Sequence, residues 1–173
     1  GLVSAQGGKI TNLTNSGYSS GSPAWTMDGN AILFTSERYG MRNHASWGSM
    51  EDVFLCFVNQ DAYDKYRLSK EDYELLKEVE KEQEKLKKDA KKTDDKKDAK
   101  KDEKKDAVKD IVMELDGIQD RIVRLTPNSS SLGSAIIDKK GETLYYTASF
   151  EKGMDLWKLD LRKKDVKLAN KNV

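Results

Sequence analysis

Apolar and polar residues alternate along ITNLT (residues 10–14) and along RIVRLT (residues 121–126), as they do on a strand that buries one face. Each stretch is followed by the same succession. A short run comes first, SPAW in one copy and SAII in the other. A turn follows at Asp28-Gly29 or Lys140-Gly141, where glycine tolerates a positive φ. Then come AILFTS or TLYYTA, rich in β-branched and aromatic residues, and finally DVFLCFV or DLWKLDL. The pattern predicts about four short strands per unit, joined by short turns.

The two units are copies of one repeat. A shift of 112 places residues 9–36 on residues 121–148 without a gap. Ile10 falls on Ile122, Leu13 on Leu125, Thr14 on Thr126, Ser19 on Ser131, Gly21-Ser22 on Gly133-Ser134, Gly29 on Gly141 and Thr35 on Thr147. Ile32-Leu33-Phe34 meets Leu144-Tyr145-Tyr146. After a loop the match resumes at a shift of 103, where Asp52-Val53-Phe54 meets Asp155-Leu156-Trp157, so the first copy's loop is 9 residues longer. Internal repetition names the structural unit. A single four-stranded sheet has two faces and cannot bury both alone. Stacked copies can, and this predicts a mainly β fold: a partial β-propeller of two to three four-stranded antiparallel blades.

A different pattern occupies the middle. About two residues in three between 64 and 110 are charged, which divides the chain into blade elements at 1–63, a helical and low-complexity insertion at 64–110, and blade elements at 111–173. Residues 67–88 read as helix. Ser69 is placed to cap it, and Glu71 and Asp72 fall in the first turn, where the helix dipole favours acids. Tyr73, Leu76, Val79 and Leu86, with Leu75 beside them, give a narrow apolar stripe. From Asp89 to residue 109 the stripe vanishes, and a segment that buries nothing cannot offset the entropy of ordering it. The insertion reads as a solvated excursion from a blade loop.

The net charge of +1 gives no reason to expect nucleic acid or an anionic membrane as partner, and no apolar run approaches the ~18 residues that span a bilayer. GLVSAQGGKI lacks the apolar core of a signal peptide, and without an initiator Met the chain reads as a segment of a longer protein. Cys56, the only cysteine, sits in VFLCFV and reads as a buried structural thiol.

Few residues carry candidate chemistry. His44 is the only histidine and no cysteine pair exists, so no zinc site is expected. Gly17-Tyr18-Ser19-Ser20-Gly21 has the G-x-S-x-G spacing, but it lies in SGYSSGS, a turn-rich connection between strands, and is not read as a nucleophile elbow. No catalytic, cofactor-binding or metal-binding residue is therefore assigned. The lengthened loop GMRNHASWGSM carries Arg42, His44 and Trp47, candidates for contact with a partner or peptide, because extended aromatic loops often line a binding face. Asp120 and Arg121 are expected to form an ion pair that fixes the following strand. Trp25 and Phe34 are expected to pack between blades.

SPAWTMDGNAILFTSERYG resembles the SPAWSPDGKxIAFxSxRxG repeat of the TolB-like, WD40-like propellers, with matches at Ser22, Pro23, Ala24, Trp25, Asp28, Gly29, Phe34, Ser36, Arg38 and Gly40. In the second copy Ala135-Ile136-Ile137 replaces Pro23-Ala24-Trp25, and Lys140 replaces Asp28. ELDGIQDRIVRLTP, with Gly117, Asp120 and Arg121, resembles a D-x-x-G-I-x-D-R-[IV]-x-x-L segment of tricorn-type proteases and their bacterial homologues. Those are large serine peptidases with propeller domains, a PDZ-like domain and a C-terminal catalytic domain of the S41 type. The resemblance implies a non-catalytic propeller segment that binds or gates peptides, or scaffolds the peptidase, in a parent that is a hydrolase. The family's catalytic residues lie in a domain with no counterpart here, so none is carried over. The implied partners are other blades, the peptidase domain of the parent, and peptides. Self-association through unpaired sheet edges is a further expectation. The bacterial relatives imply export to the periplasm, with a cytoplasmic location as the other reading. The alternative function is a TolB-like module for protein–protein contact with no protease attached.

Overall fold

The two copies of the repeat fold into the same pattern of paired strands. In the computed structural model, which describes residues 1–44, 48–92, 111–150 and 152–173, the first sheet consists of β1 (Ser20–Thr26), β2 (Ala31–Ser36), β3 (Asp52–Phe57) and β4 (Ile122–Arg124), side by side in that order. The second consists of β5 (Ser131–Ile137), β6 (Thr143–Ser149), β7 (Asp155–Asp160) and β8 (Asp165–Asn170), again in order. Every neighbouring pair is antiparallel. With helices α1 (Gln60–Arg67) and α2 (Lys70–Lys92), this is a mainly β chain of two four-stranded sheets that do not close into a ring.

The repeat is kept in the register. Trp25 pairs with Ile32, and 112 positions on, Ile137 pairs with Leu144. Ala31 pairs with Phe57, and at shifts of 112 and 103 Thr143 pairs with Asp160. Even the irregularity recurs: the first strand of each sheet breaks register between Gly21 and Ala24 in one copy and between Leu132 and Ala135 in the other. In the second copy the Thr147 hydroxyl accepts the Ser134 N–H at 2.8 Å inside this bulge. A side chain on Gly133 would collide with that hydroxyl. The paired Gly-Ser and Thr of the repeat are thus the parts of one bulge.

The hairpin turn of the first copy is tighter than the sequence suggests. Met27 and Asp28 both take φ of 53°, and Gly29 takes 85°. Glycine is favoured there by its positive φ, and a side chain would also displace the exposed Ile111 side chain, 2.7 Å away.

One grouping from the sequence is corrected. RIVRLT was expected to open the second unit, but it supplies β4 and completes the first sheet. Ile122, Val123 and Arg124 pair with Cys56, Leu55 and Phe54. The Leu125 N–H donates to the Val53 carbonyl at 2.8 Å. The physical reason is that β3 is buried on both faces and would otherwise leave a bare outer edge. The charged insertion therefore lies inside a sheet, between β3 and β4. β8, which the sequence reading did not assign, fills the same position in the second sheet.

Both faces of β2 and β3 are covered, while β1 stays mostly exposed. On one, Leu13, Ile32, Phe34, Phe54, Cys56, Val58 and Ile118 form a buried cluster, with Leu2, Met113 and Ile122 packed against it. On the other, Ala31, Leu33, Val53, Leu55 and Phe57 are buried. The second sheet buries the face carrying Leu144, Tyr146 and Ala148, while alternate residues of β6 stay partly exposed. Met27 packs at the turn before Gly141, Asp28 lies 3.7 Å from the Lys139 ammonium, and Glu51 exchanges main-chain hydrogen bonds with Ser130. These contacts tie the two sheets together.

Gly1–Asp64 with Ile111–Val173 forms one compact unit, and Lys65–Asp110 a second. In the second unit α2 is capped as the sequence implies. The Asp72 N–H donates to Ser69 Oγ at 3.1 Å, and that hydroxyl donates to Asp72 Oδ2 at 2.8 Å. The Lys65 and Lys77 ammoniums lie 6.0 and 4.6 Å from the centre of the Tyr73 ring, which is buried. α2 continues through Lys92, four residues past the expected end of the helix at Lys88, and residues 93–109 of the low-complexity stretch lie outside the described residues. α1 was not foreseen; Asn59 Oδ1 accepts the Ala62 N–H at 2.9 Å and starts it.

Within the first unit, the chain before the insertion and the chain after it are bound to each other. The Glu114 N–H donates to the Val58 carbonyl at 2.8 Å, and the Gln60 N–H to Glu114 Oε2 at 2.9 Å. The buried Arg121 guanidinium donates to the carbonyls of Phe57 at 3.4 Å, of Asp116 at 3.2 Å and of Glu114. Arg121 is held by these carbonyls rather than by Asp120, whose side chain is exposed. A chain lacking residues 65–110, joined by about eight Gly/Ser residues, is expected to keep both sheets. Its near-ultraviolet circular dichroism should match the full chain, and its melt should stay cooperative.

Candidate functional site

Three loops converge at one end of the first sheet: residues 14–19 before β1, residues 37–51 between β2 and β3, and residues 125–130 after β4. The Glu37 N–H and the Ser36 hydroxyl both donate to the Ser19 carbonyl, at 3.2 and 3.0 Å. Ser20 Oγ donates to Ser36 Oγ at 3.1 Å. The lengthened loop is itself a small hairpin. Arg42 pairs with Ser49, the Met50 N–H donates to the Met41 carbonyl at 3.0 Å, and the Asn43 N–H donates to the Gly48 carbonyl at 3.1 Å. Gly40 is required at its base, because a side chain there would overlap the Met50 carbonyl.

The loops are anchored by one buried carboxylate. Asp52 is 0% exposed, which would be costly for a charge without partners. It has three: Arg124 Nη2 donates to Oδ1 at 2.8 Å, Thr126 Oγ1 to Oδ1 at 2.7 Å, and Ser129 Oγ to Oδ2 at 2.7 Å. Thr126 Oγ1 also accepts the Val53 N–H at 3.2 Å. The second copy has Asp155 at the same place, where it accepts the Asn172 N–H at 3.0 Å. Sequence reading matched Asp52 to Asp155 as a repeat position but not as an anchor, because Arg124, Thr126 and Ser129 lie more than 70 residues away in the chain.

Arginines and tyrosines stack outward from this anchor. The guanidinium carbons of Arg38 and Arg124 lie 5.5 and 5.3 Å from the Tyr39 ring centre. Tyr39 stacks on Phe54 at 6.0 Å, and Phe54 on Phe34 at 5.4 Å. Arg42 lies 5.2 Å from the Tyr18 ring centre. Arg38, Tyr39 and Arg42 are exposed, so the end of the sheet presents guanidinium donors braced against aromatic rings. Glu37 and Glu51 share this end. Burial is the main cause that raises the Glu51 pKa, the nearby Glu37 charge adds to it, and a hydrogen bond from Thr35 opposes it. The arrangement suits hydrogen bonding to carbonyl and carboxylate oxygens.

Of the residues singled out from sequence, Arg42 belongs to this end and His44 is an exposed residue of the same loop. Trp47 lies outside the described residues. His44 makes no hydrogen bond or ion pair among the described residues, and among them no group of three or more His, Cys, Asp or Glu side chains could hold a metal ion. Among the described residues no helix is long and apolar enough to cross a membrane. Asp28 and Gly29 form a turn at the opposite end of β1. Gly117 takes a φ of 63° as it leads into Ile118–Arg121. Phe34 is buried, in the cluster with Leu13, Phe54 and Ile118. Trp25 departs from expectation: it is 50% exposed, whereas Ile137 at the equivalent position is 6% exposed.

A second feature, missed in the sequence, is a cavity of about 250 Å³ on the cluster face of the first sheet, lined among others by Leu2, Leu13, Trp25, Phe34 and Cys56. Cys56 is buried, and burial pushes its thiol pKa up to about 11 against some opposition from the Arg121 charge. The thiol is a packing group, not a nucleophile.

No protein-family model and no curated protein sequence matches the chain. The fold is similar to a part of the tricorn protease crystal structure, with a TM-score of 0.55 and 10% sequence identity. The match covers 99% of this chain and 15% of that one. At this identity the likeness establishes a tricorn-like fold and no more.

Replacing Asp52 by Ala should cost about 3 kcal/mol of stability in urea unfolding, since it leaves the Arg124 charge and two hydroxyls without their acceptor. Cys56 should resist thiol reagents at pH 8 in the folded chain and react at once in denaturant. Its folded pKa lies above the ordinary value of 9.0. The unfolded state therefore loses its proton first, and the Cys56 contribution to stability should decline as the pH rises from about 9 to 11. A Cys56→Ala chain should not show that decline.

Proposed function

We propose that this chain is a non-catalytic propeller segment of a tricorn-like serine peptidase, and that it holds peptides or scaffolds the peptidase rather than cutting. The observation that carries this reading is the pair of four-stranded sheets with one register, bulge included, in a tricorn-like fold. Consecutive sheets of this kind are the building units of propellers. The exposed Arg38 and Arg42, with His44 and Trp47 of the same loop, are the proposed contacts for an extended peptide, because guanidinium groups braced on tyrosines satisfy main-chain carbonyls and carboxylates at low entropic cost.

Two measurements on the purified chain test this. Casein and fluorogenic peptides should remain uncut, and a mixed peptide library should yield ligands of micromolar affinity. Replacing Arg42, His44 and Trp47 together by Ala should weaken those ligands about 10-fold or more, in line with the loss of two or three contacts of about 0.5–1.5 kcal/mol each. Hydrolysis blocked by a serine-directed inhibitor would overturn the reading, as would peptide binding that the triple variant leaves unchanged.

A further inference from the structure

Helix α2 presents two different faces. One is covered within its own unit. Tyr73 is buried on it, the Lys65 and Lys77 ammoniums lie over that ring, and Glu80 Oε1 is 2.8 Å from Lys65 Nζ near the end of α1. The other face is turned about 140° away around the helix. It carries Leu75, Val79 and Leu86, which are 61%, 42% and 69% exposed. The apolar stripe that the sequence places from Tyr73 to Leu86 is therefore two surfaces. The Tyr73 side is packed and the Leu75 side is open to solvent.

The open side has the spacing of a helix-pairing seam. Leu75, Val79, Glu82 and Leu86 follow one another at intervals of four, three and four residues. Glu78 and Lys85 stand one place before Val79 and Leu86 and line one flank of the seam, while Leu76 and Gln83 line the other. Neither Glu78 nor Lys85 forms an ion pair among the described residues. The charge along the helix is divided by sign. Residues 70–84 hold seven acidic and three basic residues, whereas residues 85–92 hold five lysines and one aspartate.

We propose that this face docks on the same face of a second copy of the chain, with the two α2 helices antiparallel. Charge selects both the occupant and its direction. A reversed copy brings its basic end beside the acidic stretch of the first, and two-fold symmetry makes every contact occur twice. Leu75 then meets Leu86 of the second copy, and Val79 meets its Glu82. On the flank Glu78 meets Lys85 of the second copy, in two equivalent ion pairs. A parallel pair gains none of this. It sets Glu82 against Glu82 in the seam and Glu78 against Gln83 on the flank, and it aligns like-charged ends. The Glu82 carboxylate within the seam keeps the antiparallel association weak and reversible.

Sedimentation equilibrium of the full chain from about 10 µM to about 1 mM tests the proposal, and should show a passage from monomer to dimer. Leu75→Ser combined with Leu86→Ser should weaken the dimer about 10-fold or more, and Glu82→Leu should tighten it about 10-fold. Glu78→Lys and Lys85→Glu each set like charges on the flank, and each should weaken self-association about 5-fold. An equimolar mixture of these two variants should dimerise as the unchanged chain does, because every flank position then meets its opposite charge. Circular dichroism checks that each variant keeps its helix, and the leucine pair carries the test if a charge variant does not. A monomer throughout the concentration range would overturn the proposal. So would a dimer that the leucine variant leaves unchanged, which would place the contact on the sheets, or a mixture that associates no better than its components, which would exclude the antiparallel pairing.

Discussion

The Arg121 guanidinium is the constraint on which the first sheet depends. It is a buried cation with no carboxylate paired to it among the described residues, and its charge is met by carbonyl groups from both sides of a long excursion: Phe57 at the end of β3, and Glu114 and Asp116 on the returning chain. A lysine, with a single compact charge, could not bridge three carbonyls spread over that arc. Because Arg121 fixes where the chain comes back, the next residues are delivered to the edge of β3 and become β4. The position of Arg124, and so its reach to Asp52, follows from the same placement.

Asp52 acts at the other end of β3 in a comparable way. Its carboxylate gathers donors from Arg124, Thr126 and Ser129, which fixes the path from β4 into β5. The two ends of β3 are thus pinned by one buried cation and one buried anion, each met by groups distant in sequence. The loop that carries Arg38, Tyr39 and Arg42 is built directly on the Asp52 end, so the orientation of the exposed guanidinium groups rests on a carboxylate that no ligand would touch.

Much of the fold was legible from the repeat. The strand pattern and the unequal loop lengths follow from the shifts of 112 and 103, because each strand must present the same residues to the same neighbours, while the bulge that recurs in both first strands was not foreseen. The turn at Asp28-Gly29 was legible from glycine alone, but the contact between Gly29 and Ile111 was not, since it joins residues about eighty positions apart. The assignment of RIVRLT to the earlier sheet was also hidden. A repeat fixes the order of its strands but not where one sheet ends and the next begins. The charged motif at Asp120-Arg121 suggested an ion pair because neighbouring opposite charges usually imply one. Burial of Arg121 beneath main-chain carbonyls is a tertiary outcome with no local signal. Of the candidate site, Arg42 and His44 were found through loop length, while Tyr39, Arg124 and Asp52 were missed because each looks like an ordinary strand or loop residue until the three loops are brought together.

The placement of the insertion inside a sheet has a consequence for the order of synthesis. β3 leaves the ribosome with its outer edge open, and its partner β4 follows only after residues 58–121 have been made. At ordinary elongation rates of about 5–20 residues per second, that interval is on the order of 3–13 s. Over that time a nascent three-stranded sheet with an apolar β3 at its border must wait without its fourth strand. The insertion that emerges next is densely charged with both signs rather than apolar, so its sequence offers that border no competing strand.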